Sequence, residues 1–190
     1  MPMKSRQLTL VLGGARSGKS TFAEKFAMAH GGRVTYLATA NPSDEEMRLR
    51  IAKHRADRPE QWRTLECPLD PASAMRAAAV DTDCFLLDCC TLLVSNLLLA
   101  DTESAEKTVN SMIDALLAAY HEADADLIIV SNEVGLGLVP EYPLGRLYRD
   151  LLGRVNQRLA SQADTVYYLI AGFPLDVKKL TSFPLDISEQ

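Results

Sequence analysis

Runs rich in apolar and β-branched residues recur at Leu8–Leu12, Val34–Ala38, Cys84–Leu87, Leu127–Val130 and Thr165–Ile170, with segments of helical periodicity between them. This alternation predicts a parallel sheet flanked by helices, an α/β architecture. Several runs are almost wholly apolar, as strands become when both faces of their sheet are covered. Two helical stripes stand out. Leu144, Leu147, Leu151, Val155 and Leu159 repeat at three and four, and Met112, Leu116 and Tyr120 share one face of Thr108–Tyr120. Both are assigned to the core. Residues 1–180 read as one domain and residues 181–190 as a tail.

The segment after the first run carries chemistry. Gly13, Gly14, Ala15, Arg16, Ser17, Gly18, Lys19 and Ser20 fit GxxxxGK[ST], between a predicted strand and a helix-forming TFAEKFAMA. A triphosphate is wrapped by backbone N–H groups at a helix start, and side chains at the three glycines would obstruct that approach. Lys19 is expected to reach the β- and γ-phosphates and Ser20 to ligate Mg²⁺.

A second segment, Ser43 to Arg63, opens with Ser43 and Glu46 in capping-box spacing and loses helical character near Pro59. That predicts a helix of about three turns. Met47, Ile51 and His54 fall at intervals of four and three, which sets His54 on the apolar stripe, with Arg50, Arg55, Arg58 and Arg63 around it in sequence. A neutral imidazole has a lone pair able to attack phosphorus, and clustered guanidiniums stabilise the charge of such a displacement. An isolated histidine in this position would be structural; the arginines favour chemistry. His30 and His121, at expected helix ends, are expected to be solvated.

Asp88 follows CFLL at a strand's carboxyl end, where open α/β sheets assemble their ligand sites, and is assigned to Mg²⁺ or nucleotide binding. The run Ser131–Glu141 holds Gly135 and Gly137, which suggest a movable loop, and Glu133, readable as a base or as a loop-orienting acid.

Composition narrows the partners. The formal charge is −5 with no block of Lys or Arg, which disfavours nucleic acid and anionic membrane surfaces. Cys67, Cys84, Cys89 and Cys90 lack paired CxxC spacing, so free thiols are expected. The apolar stretch Cys84–Ala100 is broken by Asp88, Thr91, Ser95 and Asn96, so no membrane span is expected. A reduced, cytoplasmic protein follows.

These segments together resemble the bifunctional adenosylcobinamide kinase / adenosylcobinamide-phosphate guanylyltransferase family. The resemblance rests on GGARSGKSTFAE, YLAT at Tyr36–Thr39, His54 with Arg58 and Pro59, and WRTLE at Trp62–Glu66. Further along it rests on LLDCCTLLVSNLL, SNEVGLGLVPE, GRVNQRLA and AGFPLDVK. It implies a RecA-like P-loop NTPase domain and two reactions. Adenosylcobinamide is phosphorylated by ATP or GTP, and GMP is then transferred from GTP through a GMP-histidine intermediate to give adenosylcobinamide-GDP. The resemblance puts that histidine at His54. It lines the GTP site with Gly13–Ser20, Ala38, Thr39, Ala40, Arg55, Ala56, Asp57, Arg58, Glu66 and Asp88, and implies a homotrimer. Two other readings stand beside it. One is a P-loop kinase of another small molecule with a structural His54; the other is a RecA-like nucleotide-dependent regulatory protein.

Overall fold

In the strand Cys84–Asp88, Phe85 and Leu87 enter one buried layer while Cys84 and Leu86 enter the other, the two-residue alternation of a sheet covered on both faces. The computed structural model of the chain describes residues 6–41, 45–56 and 58–180, and in the second helix the side chains at 45, 48, 49, 52, 55 and 56.

Strands β1 (Leu8–Gly13), β2 (Val34–Ala38), β3 (Arg63–Glu66), β4 (Cys84–Asp88), β5 (Asp126–Asn132), β6 (Thr165–Ile170) and β7 (Phe173–Asp176) form one sheet, in the order β3-β2-β4-β5-β1-β6-β7. Pairing is parallel except between β6 and β7. The strand bearing Asp88 is thus separated from the glycine-loop strand by β5, which is the arrangement of a RecA-like P-loop fold.

Helices α1 (Lys19–His30), α2 (Glu45–Ala56), α3 (Pro71–Ala78), α4 (Cys90–Ala100), α5 (Ala105–Glu122), α6 (Pro143–Gln162) and the short α7 (Val177–Leu180) connect or follow the strands. Helices α3 to α6 bury Met75, Leu93, Ile113 and Val155 against Leu10, Phe85 and Ile129. On the other face α1 lays Ala23 and Ala27 on Val11, Leu86 and Val130. Each large side chain removed from water contributes about 1.5–3 kcal/mol.

All five expected strands are present, and α5 and α6 carry the two stripes. Two strands went unforeseen. Strand β3 is short and half-exposed and lacks an apolar run, and β7 begins with Phe173-Pro174 and is exposed along most of its length. It is an edge strand, where proline is tolerated.

The expectation for His30 needs correction. Its ring is largely covered and its Nε2 contacts the Asp126 carboxylate, because the end of α1 lies over the start of β5. His121 is exposed, as expected. Cys67, Cys84 and Cys90 are buried, Cys89 is half-buried, and none of the four is in a disulfide. Among the described residues no helix is long and apolar enough to cross a membrane. Ser43 and the tail 181–190 lie outside the described residues.

Candidate active site

The carboxyl ends of the parallel strands bring most of the singled-out residues to one edge. Register sets Ala38 beside both Glu66 and Asp88, Asp88 beside Val130, and Gly13 beside Asn132. At about 4.8 Å per strand, Asp88 stands roughly 10 Å from the glycine-loop strand.

Helix α1 begins at Gly18, which has φ 92° and offers no side-chain cap, and its first turn has no acidic residue. Its leading N–H groups and the positive end of its dipole are therefore left for an anion. The loop itself is fixed by short backbone ties. Ser17 N–H donates to Gly14 O at 3.3 Å, Glu133 N–H to Gly13 O at 3.1 Å, and Gly172 N–H to Ser17 O at 2.9 Å. A Cβ on Gly13 would fall 2.5 Å from Ser17 Oγ and 2.9 Å from Leu169 O, so only glycine fits there. The Lys19 ammonium bends back to Gly14 O at 3.0 Å. Ala15, Arg16 and Gly18 are exposed at the rim, Lys19 and Ser20 half-buried.

Thr39 is fully buried and its hydroxyl both donates to Cys89 O and accepts from Cys89 N–H, each at 2.7 Å. The Asp88–Cys89 peptide it clasps is cis. Asn96 Nδ2 donates to Thr39 O and Pro68 O, both at 2.9 Å. Thr39 therefore shapes the exits of β2 and β4, while Ala38 and Ala40 are partly open beside it. Burial, then the Asp88 charge, pushes the Cys89 thiol up to about 11, so it stays protonated beside that carboxylate.

Tyr36 and Asp88 lie on one face of neighbouring strands, because Tyr36 pairs with Leu86 and Asp88 is two residues on. The Tyr36 hydroxyl donates to Asp88 Oδ2 at 2.9 Å, and the Arg58 guanidinium lies 3.3 Å from the centre of the Tyr36 ring. Burial first, then Asp88, raises the phenol far above its ordinary range, so it remains a donor at any working pH. Arg58 follows α2, the helix that carries His54. Arg55 and Ala56 at the end of that helix are exposed, as is Glu66 at the end of β3. The His54 side chain and Asp57 lie outside what is described.

Glu133 turns its Oε1 onto Gly135 N–H at 2.6 Å, which orients the loop after β5. Just before it, Asn132 is clamped on both sides. Its N–H donates to Thr91 Oγ1 at 2.7 Å and its carbonyl accepts from Asn156 Nδ2 at 2.9 Å, while Ser131 Oγ and Asn156 Oδ1 lie 2.7 Å apart.

Residues 9–177 match the family model described as cobinamide kinase / cobinamide phosphate guanyltransferase. The chain belongs to this family. It is 46% identical over 169 residues to the bifunctional adenosylcobalamin biosynthesis protein CobP of Pseudomonas aeruginosa, covering 89% of this chain and 96% of the relative. It is 40% identical over 181 residues to CobU of Salmonella typhimurium and 39% identical over 181 residues to CobU of Escherichia coli, covering in each case 90% of this chain and 99% of the relative.

The resemblance drawn from the motifs therefore holds, and the shared segments can be placed on the family's scaffold. YLAT supplies Tyr36 and Thr39, SNLL supplies Asn96, and GRVNQRLA supplies Asn156. Sequence reasoning placed Thr39 at the GTP site through the resemblance and gave Tyr36, Asn96 and Asn156 no task. Their signal was a polar residue in an otherwise apolar strand or helix, which must find a partner when buried. Mg²⁺ fits the donors present, Ser20 at the start of α1 and a half-exposed Asp88 carboxylate, both hard oxygen ligands. Among the described residues no group of three or more His, Cys, Asp or Glu could hold a metal.

Proposed function

We propose that the chain phosphorylates the hydroxyl of adenosylcobinamide with ATP or GTP and then transfers GMP from GTP to the resulting phosphate through His54, releasing pyrophosphate. The observation that carries this is the Arg58–Tyr36–Asp88 contact, which joins the segment leaving the His54 helix to the nucleotide edge of the sheet. Family membership and the uncapped start of α1 support it.

In this reading the amides of Gly14–Ser20 and the Lys19 ammonium hold the β- and γ-phosphates. Ala38, Thr39, Ala40, Glu66 and the Arg55–Arg58 segment, including Ala56 and Asp57, line the nucleoside side. Ser20 and Asp88 would hold Mg²⁺, which would neutralise phosphate charge. An imidazole nitrogen of His54 attacks the α-phosphorus. A P–N bond forms, the bond to the bridging oxygen breaks, and pyrophosphate leaves with the electron pair. The phosphate of the corrinoid then attacks the same phosphorus and the P–N bond breaks, which returns neutral His54. Arg55 and Arg58 offset the charge that accumulates at each displacement. For the phosphoryl step Asp88 and Glu133 are the candidate bases, and the tie of Glu133 to Gly135 supports an orienting role for Glu133.

Four cysteines without a disulfide suit a cytoplasmic setting. Exposed Leu136, Leu138, Phe173 and Leu175 suit burial at a subunit boundary, in line with the homotrimer that the resemblance implies. Sedimentation equilibrium should give three times the chain mass.

The deciding experiment incubates the protein with α-labelled GTP and Mg²⁺. Acid-labile label should remain on the protein and be absent from His54→Ala. Label persisting in that variant removes the assignment.

A further inference from the structure

We infer that Tyr36 is a positioning residue with two separate tasks: its hydroxyl orients Asp88 toward the metal, and its ring seats Arg58 at the nucleotide. The inference rests on the proposed function for the identity of metal and nucleotide. The geometry behind it is specific. The side chain is 2% exposed, yet its two useful surfaces meet two different groups, the Asp88 carboxylate at 2.9 Å and the Arg58 guanidinium at 3.3 Å from the ring centre.

Strand pairing creates this arrangement. On one sheet face, Tyr36 is diagonal to Asp88, so the phenol approaches the carboxylate from the strand next to it and engages Oδ2 alone. One oxygen is thereby directed, and Oδ1 remains for a cation. Outer partners of this kind fix the orientation of a ligating carboxylate, and their loss costs about 10–100-fold in metal affinity. The ring does something else. Among the described residues Arg58 Nε is buried without a hydrogen-bond partner, and stacking on Tyr36 is the contact they offer to that guanidinium. Because Arg58 follows α2 closely, the same ring registers the end of that helix against β2 and β4.

The two tasks separate by substitution. Tyr36→Phe keeps the ring and deletes the hydroxyl, while Tyr36→Leu deletes both. Each full-length variant is titrated with Mg²⁺ in the presence of the α,β-methylene analogue of GTP, with the fluorescence of Trp62, the one tryptophan in the chain, as the binding signal. Trp62 packs against the same core layer as Tyr36, and its backbone N–H donates to Pro59 O at 3.0 Å, one residue beyond Arg58.

Tyr36→Phe should raise the half-saturating Mg²⁺ concentration about tenfold while leaving analogue affinity at saturating Mg²⁺ unchanged. Tyr36→Leu should show the same Mg²⁺ shift and, in addition, analogue binding weakened at saturating Mg²⁺ by about threefold or more. A purely structural tyrosine would lower thermal stability in both variants and leave the Mg²⁺ curve of Tyr36→Phe on that of the unaltered protein, and that result overturns the inference. Labelling of the unaltered protein with α-labelled GTP is run alongside. If it fails, the transferase reading falls, whereas the Mg²⁺ titration still decides the role of Tyr36.

Discussion

The glycine loop and helix α2 face the same sheet edge but are built in opposite ways. The loop is locked by backbone bonds to β5 and to the β6–β7 turn, and α1 behind it buries Ala23 and Ala27. Every described side chain of α2 is exposed, Leu49 at 65%, and a surface pair of Glu45 and Arg48 at 3.1 Å is among its own contacts. Beyond its end, Arg58 anchors on Tyr36. A cradle for triphosphate needs fixed amides. Under the proposed function, a helix that delivers a nucleophile to one phosphorus and then surrenders the group to a second substrate is served by an anchor beyond its end, as Arg58 provides.

If that contrast is right, substitutions on the two sides fail differently. The largest effect is expected at Lys19, where Lys19→Ala should lower turnover of both reactions by about 10²–10³-fold, measured in steady state, with little change in melting temperature. Next comes Gly13→Ala. Its methyl group would collide with Ser17 Oγ and Leu169 O, so urea denaturation should show a loss of about 1–3 kcal/mol together with weaker nucleotide binding. Arg58→Leu should cost about 1 kcal/mol of stability or less, yet slow protein labelling by GTP more than it weakens nucleotide binding. If Arg58→Leu instead destabilised the fold as much as Gly13→Ala, the contrast between the locked loop and the Arg58 anchor would be lost.

The smallest effect serves as a control at the opposite edge of the sheet. Hydrogen bonds from Arg33 hold the Asp83 carboxyl down to about 2, against an ordinary value of 3.8. A depressed carboxyl stabilises the fold fully above its unfolded value, so this contribution is present above about pH 4 and is lost as pH falls toward about 2. The pair is solvent-facing, so Asp83→Asn should flatten the acid limb of the melting curve by less than about 1 kcal/mol and leave nucleotide binding unaltered.

Much of this was legible because it follows from local rules. The glycine motif, the strand before it and Asp88 at the end of CFLL are one-dimensional patterns, and their convergence follows from parallel pairing. The pairing of Tyr36 with Asp88 was not legible, since it depends on β2 lying next to β4, a neighbour relation fixed only by the whole sheet. The resemblance put Thr39 at the GTP site, but its clasp on Cys89 was not legible, since it depends on the exits of β2 and β4 lying side by side. His30 read as solvated because nothing nearby in sequence announces Asp126, which lies at the start of a strand two-thirds of the way along the chain. Strands β3 and β7 escaped because they lie at the two edges of the sheet, where no apolar run is required.

The central claim is that an imidazole on helix α2 takes the nucleotide held by the locked loop. Peptide mapping by mass spectrometry of protein quenched at alkaline pH after brief exposure to GTP and Mg²⁺ tests it most directly. A guanylyl group on the peptide containing His54, absent after acid treatment, is the predicted result. A guanylyl group on any other residue, or none while adenosylcobinamide-GDP still accumulates, would contradict it.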